Sequence, residues 1–351
     1  MENLSTRFKN IDIFRFLFAV LIVMFHGRDI IKLPGFLGGI KYCNICVEFF
    51  FIISGFLLFY YIEKYNDTWL FIKQKFFRLA PNIWLSIIIV MILSFFIKDI
   101  SFSFDGNILR IFLLHNVGFT PRTGGSGLIF SWFISCLFWV SIFYFYVNKI
   151  FEKKYLNLFI WIIVMVCFAI YAQYNDFRPG GHLQNIYYIF NIGVIRALAS
   201  MGLGYFINIA FQKNILKNAN YYFISFFEII TFAGLFYCLI CWGKIPGKSL
   251  IVLVLLFSIV FYLFLIKKGI LSNIFENNIS VHLGKYAYSI YCFHGIVLAL
   301  FKIYTNHNAQ IKTLHPDFIY FGQTLTAILV GVILYHLFEK PVTKLVKKLV
   351  Y

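Results

Sequence analysis

The chain has 351 residues, of which 61% are hydrophobic and only 13% are charged. A soluble domain has roughly a quarter charged residues, so this composition excludes an ordinary soluble protein and indicates one that crosses a membrane several times. The formal net charge is +17. In a membrane protein such an excess marks the cytoplasmic loops, so we expect membrane lipid as a partner and no nucleic acid.

Apolar stretches long enough for a spanning helix, about 20 residues each, recur along the whole chain. We predict an all-α, polytopic fold with about ten transmembrane helices, at residues 11–28, 45–62, 81–98, 127–148, 156–173, 186–209, 221–242, 249–266, 279–302 and 318–338. The apolar stretch 108–116 is too short to span, so we expect an interfacial or re-entrant piece there. No polar stretch is long enough to fold alone, which predicts one membrane domain over residues 1–351 without an appended soluble domain.

The basic residues predict the orientation. With the N-terminus inside, seventeen Lys and Arg residues fall on the cytoplasmic side and eleven on the opposite side. Because basic residues concentrate in cytoplasmic loops, we predict that both termini are cytoplasmic. An even number of helices requires the two ends to lie on the same side, as this bias indicates.

The first predicted helix carries Arg15 and His26 within its apolar run. Ionisable side chains at membrane depth are costly and usually functional. Eleven residues make three helical turns plus about 20°, so both side chains leave nearly the same face, about 16 Å apart along the axis. One helix face therefore offers a fixed positive charge and a possible proton carrier.

Glu48 opens the second predicted helix at a depth similar to that of His26. A carboxylate bonded to one imidazole nitrogen would fix the tautomer and raise the basicity of the other nitrogen. We therefore predict Glu48 and His26 as a catalytic pair. The alternative is that Glu48 is an interfacial residue that faces lipid head groups.

A basic stretch containing Lys75 and Arg78 precedes Pro81 at the predicted cytoplasmic mouth of the third helix. The two residues are spaced i, i+3 and can point the same way, as a pair that binds phosphate would. Together with Arg15 they would form an anion pocket. Two alternatives stay open, namely ordinary membrane anchoring for this stretch and neutralisation of Arg15 by Asp12, one turn earlier.

Three further residues are candidates for substrate contacts: Trp132, Arg196 and His182. Arg196 is a second arginine within an apolar helix, for which a structural role is as well supported as a substrate contact. Trp132 could stack on a sugar or simply pack, and His182 lies in a glycine-rich loop of the predicted outer side. We interpret His294, which shares a polar stripe with Tyr288 and Tyr291, as a hydrogen-bonded structural histidine.

The cysteines predict no metal. Two C-x-x-C pairs, Cys43/Cys46 and Cys238/Cys241, flank apolar helices, and no histidine spacing supports a zinc site. We therefore expect these cysteines to pack as small apolar residues within helices.

Five elements, in this order, resemble the motifs of membrane-bound acyltransferase family 3, the O-acyltransferases that modify bacterial surface polysaccharides and related glycans. They are Arg15 and His26 as Arg-x10-His, Glu48–Gly55 as an acidic-Phe-Phe-x-x-Ser-Gly segment, Lys75–Pro81 as Arg-x-x-Arg before a proline, Tyr288–His294 as Tyr-Ser-x-Tyr-x-x-His, and Tyr335–Pro341 as the closing Glu-Lys-Pro. Two positions depart from the family pattern. Lys75 replaces the first arginine of its motif, and Leu137 stands at the acidic position of the Trp-x-x-x-x-Glu pattern that begins at Trp132.

The resemblance implies an O-acetyltransferase of the bacterial inner membrane. Its donor would be cytoplasmic acetyl-CoA, and its acceptor a hydroxyl of a polysaccharide or lipid-linked sugar, such as O-antigen or capsule. Arg15, Lys75 and Arg78 would hold the CoA phosphates while the pantetheine arm runs toward His26. His26, oriented by Glu48, would act as general base or briefly carry the acyl group.

A transporter or flippase for a lipid-linked sugar or a small anion is the alternative. It would explain ten helices and buried charges equally well. It requires neither His26 and Glu48 at one depth nor basic residues gathered at one mouth, and the ordered motifs favour acyl transfer.

Overall fold

The computed structural model describes residues 8–28, 35–65, 67–118, 125–175, 185–186, 190–242, 250–308, 310–311 and 316–350. These residues are almost entirely helical. Two antiparallel strands of two residues each, β1 (Asn185–Ile186) and β2 (Phe190–Asn191), stand outside the helices.

The α-helices follow one another along the chain. In the described residues they are α1 (Lys9–Gly27), α2 (Cys46–Tyr61), α3 (Thr68–Phe96), α4 (Phe104–Ile111), α5 (Trp132–Ile150), α6 (Lys153–Asn175), α7 (Ile192–Gln212), α8 (Tyr221–Ile240), α9 (Leu250–Ile266), α10 (Ile270–Phe275), α11 (Asn278–Gly284), α12 (Ala287–His307), α13 (Pro316–Leu334) and α14 (Lys340–Val350). Short 3₁₀ segments at Gly35–Ile45 and Leu128–Ser131 lead into α2 and α5, and a π-helical turn at Tyr335–Glu339 joins α13 to α14.

The predicted polytopic α-helical fold is confirmed. Nine helical segments of the described chain are long and apolar enough to cross a membrane, and α9 is a shorter apolar helix at the position predicted for a tenth. The eight residues of α4 are too few to span, as expected for the stretch near 108–116. The helix predicted at 127 begins only at Trp132, because Gly125 and Gly127 have positive φ angles that an α-helix cannot contain.

Helix α1 lies inside the bundle and packs against α2, α11, α12 and α13. Phe14 and Phe18 are fully buried on it. Helices α2 and α7 make the closest helix pair, because Gly55 and Gly204 let their backbones touch, and a Cβ on either glycine would collide with the other helix. This close approach brings the two buried charges of these helices, Glu48 and Arg196, face to face.

Candidate functional site

The two predicted ends of the site lie on α1. Near its start, Nη1 of Arg15 is 2.9 Å from Oδ1 of Asp12, one turn earlier. The Asp12 side chain is 3% exposed, whereas that of Arg15 is 27% exposed. The carboxylate therefore neutralises the arginine from the buried side, while the guanidinium keeps access to the surroundings. This ion pair is the neutralisation of Arg15 by Asp12 that the sequence analysis gave as an alternative.

The basic stretch lies within α3, because this helix begins at Thr68 and not near residue 81 as predicted. Lys75 is half-buried with its ammonium 5.8 Å from the centroid of the Phe71 ring, and Arg78 is exposed. The charge of Arg78 acts on both Lys75 and the carboxylate of Glu339. Arg78 thus has an internal acidic neighbour, as Arg15 does.

Glu339 belongs to a polar junction between α3, α12 and the π-helical turn. Its Oε2 accepts hydrogen bonds from Nδ2 of Asn82 at 2.9 Å and from Oγ of Ser289 at 2.5 Å. The hydroxyl of Tyr288 donates to the carbonyl of Leu79 at 2.5 Å. These bonds hold the Arg78 turn of α3 against α12, so the closing Glu-Lys-Pro motif fixes the basic stretch in place.

His26 lies at the other end of α1, in a cluster of aromatic rings. Its ring centroid is 3.9 Å from that of Phe130 and 5.4 Å from that of His294. Phe130 and His294 are stacked, with centroids 4.8 Å apart. The sequence predicted His26 as a site residue but did not predict that His294 lies beside it.

Glycines bring this cluster together. Gly127, with φ +78°, and Gly295 on α12 touch through their backbones, and a Cβ on Gly295 would collide with the Gly127 carbonyl and the Phe130 ring. The contact presses the 3₁₀ segment Leu128–Ser131 onto α12. The hydroxyl of Tyr291 then donates to the carbonyl of Phe130 at 2.7 Å. Phe130 is therefore fixed over both histidines.

Glu48 is not hydrogen-bonded to His26, contrary to the predicted pair. Its Oε1 accepts from Nε of Arg196, and both side chains are 1% exposed. A permanently charged guanidinium balances a buried carboxylate better than an imidazole that is mostly neutral near pH 7. Among the described contacts Glu48 thus joins α2 to α7, and it does not supply the hydrogen bond that would orient His26.

Arg196 is also in contact with two aromatic rings. Its guanidinium carbon lies 4.9 Å from the Trp132 ring centroid and 5.7 Å from that of Tyr171. These cation–π contacts and the pair with Glu48 give Arg196 and Trp132 an internal structural role. His182, the third candidate for a substrate contact, lies outside the described residues.

A second buried histidine lies outside the spanning helices. His115 is 4% exposed, and its Nε2 is 3.0 Å from Oγ of Ser131. Burial, together with the nearby charge of Arg110, lowers the pKa of His115 to about 3. Burial also lowers the pKa of Arg110 to about 10, so Arg110 stays charged near neutral pH while His115 is neutral. This pair anchors the loop after α4 to the segment that carries Phe130.

A cleft opens beyond the histidine cluster, along the last turns of α12. Its volume is about 510 Å³, and its lining includes Asp99, Ser126, Lys302, Asn306 and His307. Nε2 of His307 is 2.8 Å from Oδ2 of Asp99 across it. Lys302 and Asn306 follow Gly295 at seven and eleven residues, so they continue the helix face that meets the 3₁₀ segment. One lining residue, Ser126, is the chain neighbour of Gly127, so the cleft lies close to the segment that leads to Phe130.

No metal centre accompanies these side chains in the part of the chain that the structure describes. Groups of three or more His, Cys, Asp or Glu side chains with a suitable arrangement are absent from it. The cysteines of the two C-x-x-C pairs are free thiols, and the Cys43 thiol donates to the carbonyl of Leu239 at 3.0 Å.

Comparisons with known proteins support the motif assignment. The family model described as an acyltransferase domain, that of acyltransferase family 3, matches residues 8–336. Curated proteins and solved structures gave no match. The matched range begins just before α1 and ends within the π-helical turn, so it contains both ends of the site. The chain is therefore a member of membrane acyltransferase family 3.

Proposed function

We propose that the protein is an O-acetyltransferase of the bacterial inner membrane, with acetyl-CoA as donor and a cell-surface polysaccharide or lipid-linked sugar as acceptor. The observation that carries this proposal is the arrangement of α1. A partly exposed arginine lies near one end and an imidazole near the other, about 16 Å away along the axis. A pantetheine arm held by its phosphates at Arg15 is of the right length to bring a thioester toward His26.

The donor phosphates would lie at the start of α1, which we propose faces the cytoplasm. Arg15, Lys75 and Arg78 supply three cationic groups for them. Asp12 pairs with Arg15 in the free protein, and Glu339 lies within electrostatic range of Arg78. A donor phosphate would replace Asp12 as the partner of Arg15, so this arginine has a counter-charge when the site is empty.

The chemistry would take place at His26. Its ring is half-buried between Phe25, Phe130 and His294, where water is limited and proton transfers are directed. His26 either removes the proton of the acceptor hydroxyl or first accepts the acetyl group on a ring nitrogen. Both routes need the thioester and the hydroxyl to meet beside this imidazole.

The acceptor would enter through the cleft lined by Lys302, Asn306 and His307. Its volume of about 510 Å³ and its polar lining suit one or two sugar rings with many hydroxyl groups. The sugar would extend from the cleft past the segment Gly127–Phe130 toward His26. The donor and the acceptor would thus approach the same imidazole from opposite ends of α1.

The test is the ester content of the surface glycans of cells that lack this protein. Deletion of its gene should remove one O-acetyl group from a surface polysaccharide, as measured by NMR on the purified glycan. Wild-type protein should restore that group, whereas the His26→Ala variant should not. Unchanged acetylation on deletion, accompanied by accumulation of a lipid-linked sugar, would support the transporter alternative and contradict the proposal.

A further inference from the structure

His294 lies beside the proposed reaction centre, and one of its two ring nitrogens is unused. The side chain is completely buried on α12, and its ring lies at 25° to the ring of His26, with centroids 5.4 Å apart. A structural histidine normally uses both nitrogens when it is buried, because an unpaired polar atom costs free energy. His294 departs from this rule.

The hydrogen bond of His294 fixes its tautomer. Nδ1 lies 2.6 Å from the carbonyl oxygen of Tyr291, one turn earlier on the same helix. A carbonyl only accepts, so Nδ1 must carry the proton, and Nε2 of the neutral ring has a bare lone pair. Among the described residues Nε2 has no hydrogen-bond partner. The ring is thus prepared to accept a proton at one defined atom.

The neighbouring groups do not serve that lone pair. The hydroxyl of Tyr291 donates to the carbonyl of Phe130, and Phe130 itself presents only its ring. The backbone contact between Gly127 and Gly295 holds Phe130 in this position. A donor for Nε2 would have to come with a bound molecule, and the hydroxyl of a sugar is such a donor.

We propose that Nε2 of His294 removes the proton from the acceptor hydroxyl, which makes His294 a second catalytic residue beside His26. This inference rests on the proposed function. The hydroxyl oxygen forms a bond to the acetyl carbonyl carbon, while its proton passes to Nε2. The bond from that carbon to a nitrogen of His26 breaks, because the acetyl group moved to this nitrogen when the CoA thiolate left. The proton then leaves His294 and finally protonates the CoA thiolate, so the products are the sugar ester and free CoA.

The two histidines divide two tasks between them, because one ring nitrogen cannot both hold the acetyl group and remove the acceptor proton. A nitrogen of His26 that holds the acetyl group has no lone pair with which to remove the acceptor proton. His294 supplies that lone pair in the covalent route. The proposal therefore completes the covalent route of the proposed function, in which His26 carries the acetyl group.

The test compares His294→Asn with wild type in acetyl transfer from labelled acetyl-CoA to a glycan extract. The amide nitrogen of asparagine can keep the hydrogen bond to the Tyr291 carbonyl, but the variant has no basic Nε2. We expect kcat to fall by about 10²- to 10⁴-fold, the usual contribution of a general base, while KM for acetyl-CoA stays within about twofold. His282→Asn, the same substitution at an exposed histidine of α11 outside the proposed donor and acceptor sites, is the control and should keep most of its activity.

A second variant separates lost chemistry from lost structure. His294→Gly should be similarly inactive, and added imidazole should restore part of its activity by occupying the vacated space. Loss of activity without recovery in imidazole, or a His294→Asn rate near that of wild type, would overturn the role of His294. If instead wild type transfers no acetyl group to any glycan extract, the proposed function itself fails.

Discussion

Glu48 and Arg196 form a buried ion pair across 148 positions of sequence, and both side chains are 1% exposed. The pair joins α2 to α7, and the Arg196 guanidinium lies over the Trp132 ring. Because each charge is balanced by the other, the pair stabilises the bundle around the site. It also means that the carboxylate predicted to orient His26 is already engaged by an arginine.

Removal of one member of this pair should destabilise the protein strongly. Glu48→Gln leaves the guanidinium of Arg196 buried without a counter-charge, for which we expect a loss of about 3–5 kcal/mol. Thermal unfolding in detergent would measure it. The double variant Glu48→Gln/Arg196→Gln should lose less than the sum of the two single variants. Strictly additive losses would mean that the two side chains do not interact.

Arg78 should matter for the donor and not for the chemical step. Arg78→Ala should raise the KM for acetyl-CoA by about 10-fold or more, as loss of a charged hydrogen bond to a phosphate does, with little change in kcat. Lys73→Ala is the matched control, since Lys73 is an exposed cation on the same helix and its ammonium lies 5.3 Å from the Trp69 ring centroid.

Acetyl-pantetheine, which lacks the nucleotide phosphates, provides a further check on this assignment. If Arg78 binds a phosphate of that nucleotide, Arg78→Ala and wild type should use acetyl-pantetheine equally well. An equal KM for acetyl-CoA in Arg78→Ala and wild type would remove Arg78 from the donor site.

The contact between Gly127 and Gly295 should control activity through Phe130. In Gly295→Ala the new methyl group would collide with the Phe130 ring and the Gly127 carbonyl, so Phe130 must move away from the two histidines. We expect a fall in kcat of at least about 10-fold. Gly322→Ala, also on a helix, has open space around the added methyl group and should behave as wild type. Equal activity of the two variants would contradict the proposed role of the aromatic cluster.

Mild acid should weaken the loop that carries His115. Its pKa is about 3 in the folded protein and about 6.5 in an unfolded chain, so the unfolded state binds the proton first. The stability contributed by neutral His115 is complete above about pH 6.5. It decreases by up to about 1.4 kcal/mol for each pH unit below that.

The variant His115→Gln tests this assignment. Its amide can still donate to Ser131 but does not titrate, so its melting temperature should change less between pH 7 and pH 4 than that of wild type. Parallel pH curves for the two proteins would show that His115 does not become protonated on unfolding.

Local patterns in the sequence predicted much of the fold and part of the site. The apolar runs predict the helices because spanning a membrane demands length and hydrophobicity, which are visible without any contacts. The ion pair of Arg15 with Asp12 was visible as well, since residues three apart share a helix face. The start of α5 was predicted too early, at residue 127, because Gly127 has a positive φ angle and touches α12 through its backbone, which the sequence does not reveal.

Contacts between distant helices were not predictable in this way. The choice of Arg196 over His26 as partner of Glu48 depends on how closely α2 and α7 approach, which no single segment encodes. The neighbourhood of His26 and His294 likewise depends on α1 and α12 packing together. The one local signal was the position of His294 three residues after Tyr291, which permits the bond to the Tyr291 carbonyl. It indicated a structural role and gave no sign of the unused nitrogen.

The most direct test of the central claim is acetyl transfer by purified protein in lipid vesicles, with labelled acetyl-CoA and a lipid-linked glycan fraction from the producing cells. Wild type should transfer label to the glycan, and His26→Asn should transfer less than about a hundredth as much, because both proposed routes pass through that imidazole. His282→Asn, at an exposed histidine outside the proposed site, should remain active. Transfer by His26→Asn at the wild-type rate would contradict the account.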